Sequence, residues 1–258
     1  MFYLIANWKM QLLEKELTDL TTQIITQNKK TPLPGELILA PHFSALKTIG
    51  NLIKNTPLKL AAQNLFYHER GAYTGEISPL QLAELNVPYV IIGHSERRAF
   101  LHETDSDVNA KIKIALKNNL TPILCIGETF EERKLGKTEV TLIRQIIRGL
   151  EDVNLNDQQK LIIAYEPVWV IGTGQAVKPL EAENAALVIR KVLLDYFTPE
   201  QIEKNISLIY GGSVDANNVE GFIIPELMTG ALVGTASLTA EKFLPIMEKV
   251  ATLSNLYR

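Results

Sequence analysis

Short apolar runs rich in β-branched residues recur eight times along the chain, and stretches with helical periodicity lie between them. The runs are Phe2–Ala6, Glu36–Ala40, Lys59–Ala62, Tyr89–Ile92, Thr121–Ile126, Leu161–Tyr165, Ile206–Tyr210 and Ala231–Val233. They are continuously apolar, not alternating, as expected of parallel strands covered on both faces. Strands and helices in alternation leave two α/β architectures, an open doubly wound sheet or a closed (β/α)8 barrel. The count of eight and a length of 258 residues favour the barrel. The glycines and prolines are scattered and no linker tract interrupts the alternation, so one domain is expected over residues 1–258.

Helix signals fill the gaps. Leu13, Leu17, Leu20 and Ile24 repeat at helical spacing, as do Leu46, Ile49 and Ile53. Ser78-Pro79-Leu80-Gln81 is a capping box with proline at the first helical position, and Thr104 with Asp107 forms a similar start before Val108, Ile112 and Ala115. Val140, Ile143 and Ile147 predict another buried stripe. Pro179 opens a helix running through Leu187 and Val188 towards Tyr196, and Phe243, Met247 and Val250 mark the last. Glu131, Glu132, Arg133 and Lys134 read as a solvated helix face.

Charge and cysteine content narrow the partners. Lys and Arg number 26 against 29 Asp and Glu, a net charge of −3, which argues against nucleic acid held by phosphate neutralisation. The longest apolar run, Met1–Ala6, is far short of the roughly twenty residues of a membrane span, and without a basic region before it no secretory leader is expected. Cys125 is the lone cysteine, so no internal disulfide forms, and a reducing, cytoplasmic setting is expected. His42, His68, His94 and His102 have no zinc-ligand spacing, and no metal site is expected. Dinucleotide and Walker fingerprints are missing, as is a Gly-x-Ser-x-Gly elbow.

Active sites of parallel α/β folds lie at the C-terminal ends of the strands. Those ends carry Asn7-Trp8-Lys9, Gly93-His94-Ser95-Glu96-Arg97, Glu166-Pro167, Gly211-Gly212-Ser213 and Gly234-Thr235. The glycine-rich groups after strands six, seven and eight, including Gly172-Thr173-Gly174, read as a backbone nest for phosphate. Glu166 suits a general base, and His94 before a helical turn suits a neutral imidazole that donates a hydrogen bond. With Lys9 they form a set fit for proton abstraction beside a carbonyl in a small phosphorylated substrate.

Longer motifs sharpen this reading. Asn7-Trp8-Lys9-Met10, Ala62-Gln63-Asn64, Gly71-Ala72-Tyr73-Thr74-Gly75-Glu76, Gly93–Arg98, Cys125–Glu128, Tyr165–Trp169, Ile171–Gly174, Tyr210–Val214 and Leu232–Gly234 appear in that order. Together they resemble the triosephosphate isomerase family over essentially the whole chain. The resemblance implies a TIM barrel, and an isomerase that interconverts dihydroxyacetone phosphate and D-glyceraldehyde 3-phosphate without a cofactor, in glycolysis and gluconeogenesis. It implies Glu166 as base and His94 as the neutral imidazole paired with it in that family. It further implies Lys9 as the stabilising cation, with Asn7 beside it and Ser95 and Glu96 in support. Gly172, Ser213, Gly234 and Thr235 would hold the phosphate. A lid over 167–177, including Pro167, Val168, Trp169, Ile171, Thr173 and Gly174, would close over the substrate and exclude water.

A homodimer is implied as well, with Thr74 reaching into the neighbouring site and Gln11 at the interface. Departures from the family pattern fall at Gln11-Leu12, where Asn-Gly is usual, at Val170 and Gln175 in the lid, and at Thr235 in place of a second glycine. They keep open an alternative from another class: a non-catalytic phosphometabolite-binding or scaffold protein on the same barrel. Retention of Lys9, His94 and Glu166 tells against it.

Overall fold

A computed structural model describes residues 1–171 and 176–256. Eight strands, β1 (Tyr3–Asn7), β2 (Glu36–Ala40), β3 (Lys59–Ala62), β4 (Tyr89–Ile92), β5 (Thr121–Ile126), β6 (Leu161–Tyr165), β7 (Ile206–Tyr210) and β8 (Gly230–Val233), pair in parallel in sequence order. β1 also pairs with β8, which closes the barrel and settles the choice between the two architectures.

The continuous apolar runs follow from two cores separated by one sheet. Successive residues of a strand face opposite sides. Ile5, Ile38, Ile91, Ile123, Ile162 and Ile209 therefore meet inside the barrel, while Leu4, Leu39, Ile92, Leu124 and Ile163 join a larger outer core under the helices. Cys125 is an inner-layer filler. β1 is shifted by one residue from its apolar run at both ends and β8 starts one residue earlier, because ladder pairing follows the backbone whatever the side chain: Asn7 pairs with Ala40 and Gly230 with Tyr3.

Among the described residues the outer layer contains α1 (Glu14–Lys30), α2 (Leu46–Ile53), α3 (Pro79–Glu84), α4 (Ser95–Phe100), α5 (Asp105–Lys117), α6 (Phe130–Lys134), α7 (Thr138–Gly149), α8 (Pro179–Leu193), α9 (Pro199–Asn205) and α10 (Ala240–Leu256). Both capping boxes form. The Ser78 hydroxyl accepts from Leu80 N–H while Gln81 accepts from Ser78 N–H, and Thr104 and Asp107 exchange the equivalent pair.

Three helix expectations need correction. Leu13 is the N-cap of α1 and 75% exposed, so the buried stripe starts at Leu17. In α7 Val140 and Ile147 face outward, 65% and 41% exposed, and Ile143 is only partly buried; Leu142 and Ile146 are the buried residues instead. That face also buries Gln145, a polar residue that hides the stripe from a hydrophobic reading, because its carboxamide pairs with both backbone groups of Gly127. In α8 the small residues Ala182, Ala185 and Ala186 pack inward with Ile189, leaving Leu187 half exposed.

Candidate active site

The C-terminal ends of the strands open into a cavity of about 580 Å³ lined by Asn7, Lys9, His94, Glu166, Ile171, residues 211–217, Gly234 and Thr235, and by the first turns of α10. The tertiary structure thus brings together groups spread over more than two hundred residues of sequence.

His94 is buried and is the N-cap of α4. Its Nδ1 accepts from Glu96 N–H at 3.2 Å. Accepting a backbone N–H assigns Nδ1 the acceptor role and leaves Nε2 as the ring's donor. Nε2 lies 3.4 Å from Glu166 Oε1. The chain can turn into α4 here because Gly93 takes φ +74°, where a Cβ would also meet the Arg98 guanidinium at 2.9 Å.

Glu166 follows β6 and is almost wholly buried. Oε2 accepts from Ser95 N–H at 3.0 Å, whereas Oε1 has no hydrogen-bond partner among the described residues. A buried carboxylate oxygen without a donor is costly, and this one sits at the cavity wall beside His94. Below it lies Cys125, whose thiol is pushed well up by burial and by the neighbouring carboxylate.

Lys9 occupies the left-handed region at φ +50°. Two hydrogen bonds hold its backbone there, and Gln63 links it to β2. Its N–H donates to Asn7 Oδ1 at 3.1 Å, and Gln63 Nε2 donates to Lys9 O and to Ala40 O, each at 2.8 Å. Its Nζ reaches Glu96 Oε1 at 2.6 Å. Gln63 is the residue sequence reasoning left without a task; its signal was its place in the Ala62-Gln63-Asn64 motif at the end of β3.

The phosphate-nest expectation is partly corrected. Gly211 N–H is spent on Tyr165 O at 2.7 Å and is not available to an anion. That glycine leaves room for the Glu166 side chain instead, since a Cβ there would stand 2.8 Å from Glu166 Cγ. The N–H groups of Ser213, Gly234 and Thr235 have no acceptor among the described residues, and all three residues line the cavity. Gly172, Thr173, Gly174 and Gln175 lie outside the described residues.

The segment after Glu166, expected to begin a lid, is anchored. Val168–Val170 form one 3-10 turn, with Val168 N–H on Glu128 O at 3.1 Å. Trp169 Nε1 donates to the fully buried Glu128 carboxylate at 2.9 Å, and the Tyr165 hydroxyl donates to it at 3.2 Å. Burial holds the Glu128 carboxyl above its ordinary range. The supposed solvated face of α6 is not fully solvated: the Arg133 guanidinium lies 4.2 Å over the Trp169 ring and bonds Glu181 of α8 at 2.8 Å. Such stacking satisfies a cation with an aromatic face, which no local pattern in α6 announces.

Residues 2–250 match the family model described as triosephosphate isomerase. The chain belongs to the triosephosphate isomerase family. Curated relatives named triosephosphate isomerase include that of Dictyoglomus thermophilum, 43% identical over 94% of this chain and 97% of its own length. That of Dehalococcoides mccartyi is 44% identical over 97% and 96%, and that of Treponema denticola 42% over 95% and 97%. Family membership accounts for the order of the motifs along the barrel. Among the described residues no helix is long and apolar enough to cross a membrane, and no group of three or more His, Cys, Asp or Glu is placed to hold a metal ion.

Proposed function

We propose that this chain interconverts dihydroxyacetone phosphate and D-glyceraldehyde 3-phosphate by proton transfer through an enediol, serving glycolysis and gluconeogenesis in the cytoplasm. The observation that carries the reading is the placement of the His94 ring, its Nδ1 tied to Glu96 N–H and its Nε2 beside Glu166 Oε1. In this reading Glu166 turns from Ser95 N–H towards the substrate and takes a proton from the carbon next to the carbonyl. His94 Nε2–H donates to the carbonyl oxygen and passes a proton between the two oxygens of the enediol. The Glu166 carboxyl then returns its proton to the neighbouring carbon, so every proton lost is regained.

Lys9 offsets the negative charge that develops on the oxygens, and its effect strengthens once the lid shields the cavity from water. Its pairing with Glu96 supports a positioned ammonium, and Asn7 supports the backbone that carries it. Ser213, Gly234, Thr235 and Gly172 would receive the phosphate on backbone N–H groups. Residues 167–177 would act as the lid, with Trp169 moving against Glu128 and Arg133. No observation favours the non-catalytic alternative.

We also assign the homodimer: residues 71–78 of one subunit, with Thr74 at the tip, would meet Gln11 and its neighbours in the other. Met10, 91% exposed, and the stacked Tyr73 and His68 rings, 4.9 Å apart, supply apolar surface on those two loops.

A coupled assay with D-glyceraldehyde 3-phosphate tests the chemistry. Glu166→Gln keeps the side chain's shape and removes the base, and turnover is expected to fall by about 10²–10⁴-fold or more while a phosphate-bearing inhibitor still binds. Near-normal turnover would remove Glu166 from its role.

A further inference from the structure

The cavity does not end at the three N–H groups assigned to phosphate. It runs on past Val214, Asp215, Ala216 and Asn217 to Glu241, Lys242 and Pro245. Charge is distributed unevenly along it. The lining holds two cations, Lys9 and Lys242, against the carboxylates of Glu166, Asp215 and Glu241. Lys9 is already engaged with Glu96 at 2.6 Å. A phosphate monoester carries close to two negative charges at neutral pH, so it approaches a mouth whose fixed groups mostly repel it.

Lys242 is the exception. It is exposed, and among the described residues no carboxylate lies within ion-pairing distance of it. Its position is unfavourable for its own helix. Phe243 N–H and Lys242 N–H both bond Thr239 O, so Lys242 stands in the first turn of α10, where the helix dipole favours anions and disfavours an ammonium. A residue that breaks a local rule at a cavity edge marks a site where function outweighs helix stability. A solvated ammonium at this point lowers the energy of an anion along the entry path without touching the reacting atoms.

We infer that Lys242 is an entry residue that attracts the phosphate of the incoming substrate past Asp215 and Glu241, and so raises kcat/KM without taking part in the chemical step. This rests on the proposed isomerase reading.

The test is steady-state kinetics of Lys242→Gln and Lys242→Glu with D-glyceraldehyde 3-phosphate at about 0.01 M and about 0.15 M ionic strength, where the screening length falls from about 30 Å to about 8 Å. The control is Lys54→Gln, which removes the same net charge from a groove outside this cavity. At low salt kcat/KM is expected to fall about threefold for Lys242→Gln and about tenfold for Lys242→Glu, with kcat unchanged. The loss should shrink at the higher salt, Lys242→Arg should restore the rate, and Lys54→Gln should leave it unaltered. Equal kcat/KM in all variants, or a loss that ignores salt, would overturn the role of Lys242 alone. A wild-type protein with no turnover would overturn the isomerase reading, and this inference with it.

Discussion

Removing the Glu103 carboxylate is expected to destabilise the protein more than any other single-charge change near the site. Glu103 is buried and accepts from Arg97 Nε at 2.6 Å and from Lys111 Nζ at 2.9 Å. Lys111 is buried too, and its remaining partner is Asn64 Oδ1 at 2.8 Å. Burial already lowers the Lys111 pKa, and the Glu103 carboxylate is the main influence raising it. Glu103→Leu therefore leaves an ammonium in the interior with one neutral acceptor. Arg97 suffers less, because its side chain is about a quarter exposed and can turn to water. Breaking a buried pair from one side costs about 3–5 kcal/mol. With a urea dependence of about 3 kcal/mol per molar, the midpoint falls by roughly 1 M or more.

Lys111→Met is expected to cost less, since Arg97 still neutralises Glu103. The double variant Glu103→Leu/Lys111→Met should be more stable than the sum of the single losses by over 1 kcal/mol, because no unpaired charge remains. Urea unfolding of the four proteins at one concentration measures this. Additive losses within about 0.5 kcal/mol would refute the coupling. Because Arg97 follows Glu96 in α4, Glu103→Leu should also lower isomerase turnover.

Two further outcomes are expected. The raised Glu128 pKa means that the folded chain holds this proton more tightly than the unfolded one. The associated stability is full below the ordinary carboxylate range and is lost as pH rises through the raised folded value, about 1.4 kcal/mol for each tenfold weakening of the acid. Glu128→Gln lacks that loss, so its urea midpoint relative to wild type should improve from pH 4 to pH 7; a relative decline would refute it. Size-exclusion with light scattering at micromolar concentration should give twice the chain mass, and a monomer would remove Thr74 and Gln11 from the proposed interface.

Much of the site was legible in advance because the barrel rule is topological. Once eight strands are located, whatever follows each one must meet at one rim, and Lys9, His94 and Glu166 needed only their positions in sequence to be placed together. The N-cap role of His94 was readable for a similar reason, since a helix start is a local event. Other features had no local signature. The Gln145 contact with Gly127 turned the expected face of α7 around, and Arg133 left its charged neighbours to cover Trp169. The Gly211 N–H was claimed by strand pairing.

The sequence by itself determined the alternation, the strand count, the family motifs and which polar side chains stand at the strand ends, since these depend on periodicity and residue chemistry along the chain. Only the tertiary structure decided which hydrogen-bond donors remain for an anion, and which cation at the cavity mouth has no ion-pair partner, among the described residues. Those outcomes depend on competition between partners far apart in sequence, and a backbone N–H or an ammonium is free only when every nearer acceptor has been taken or is absent.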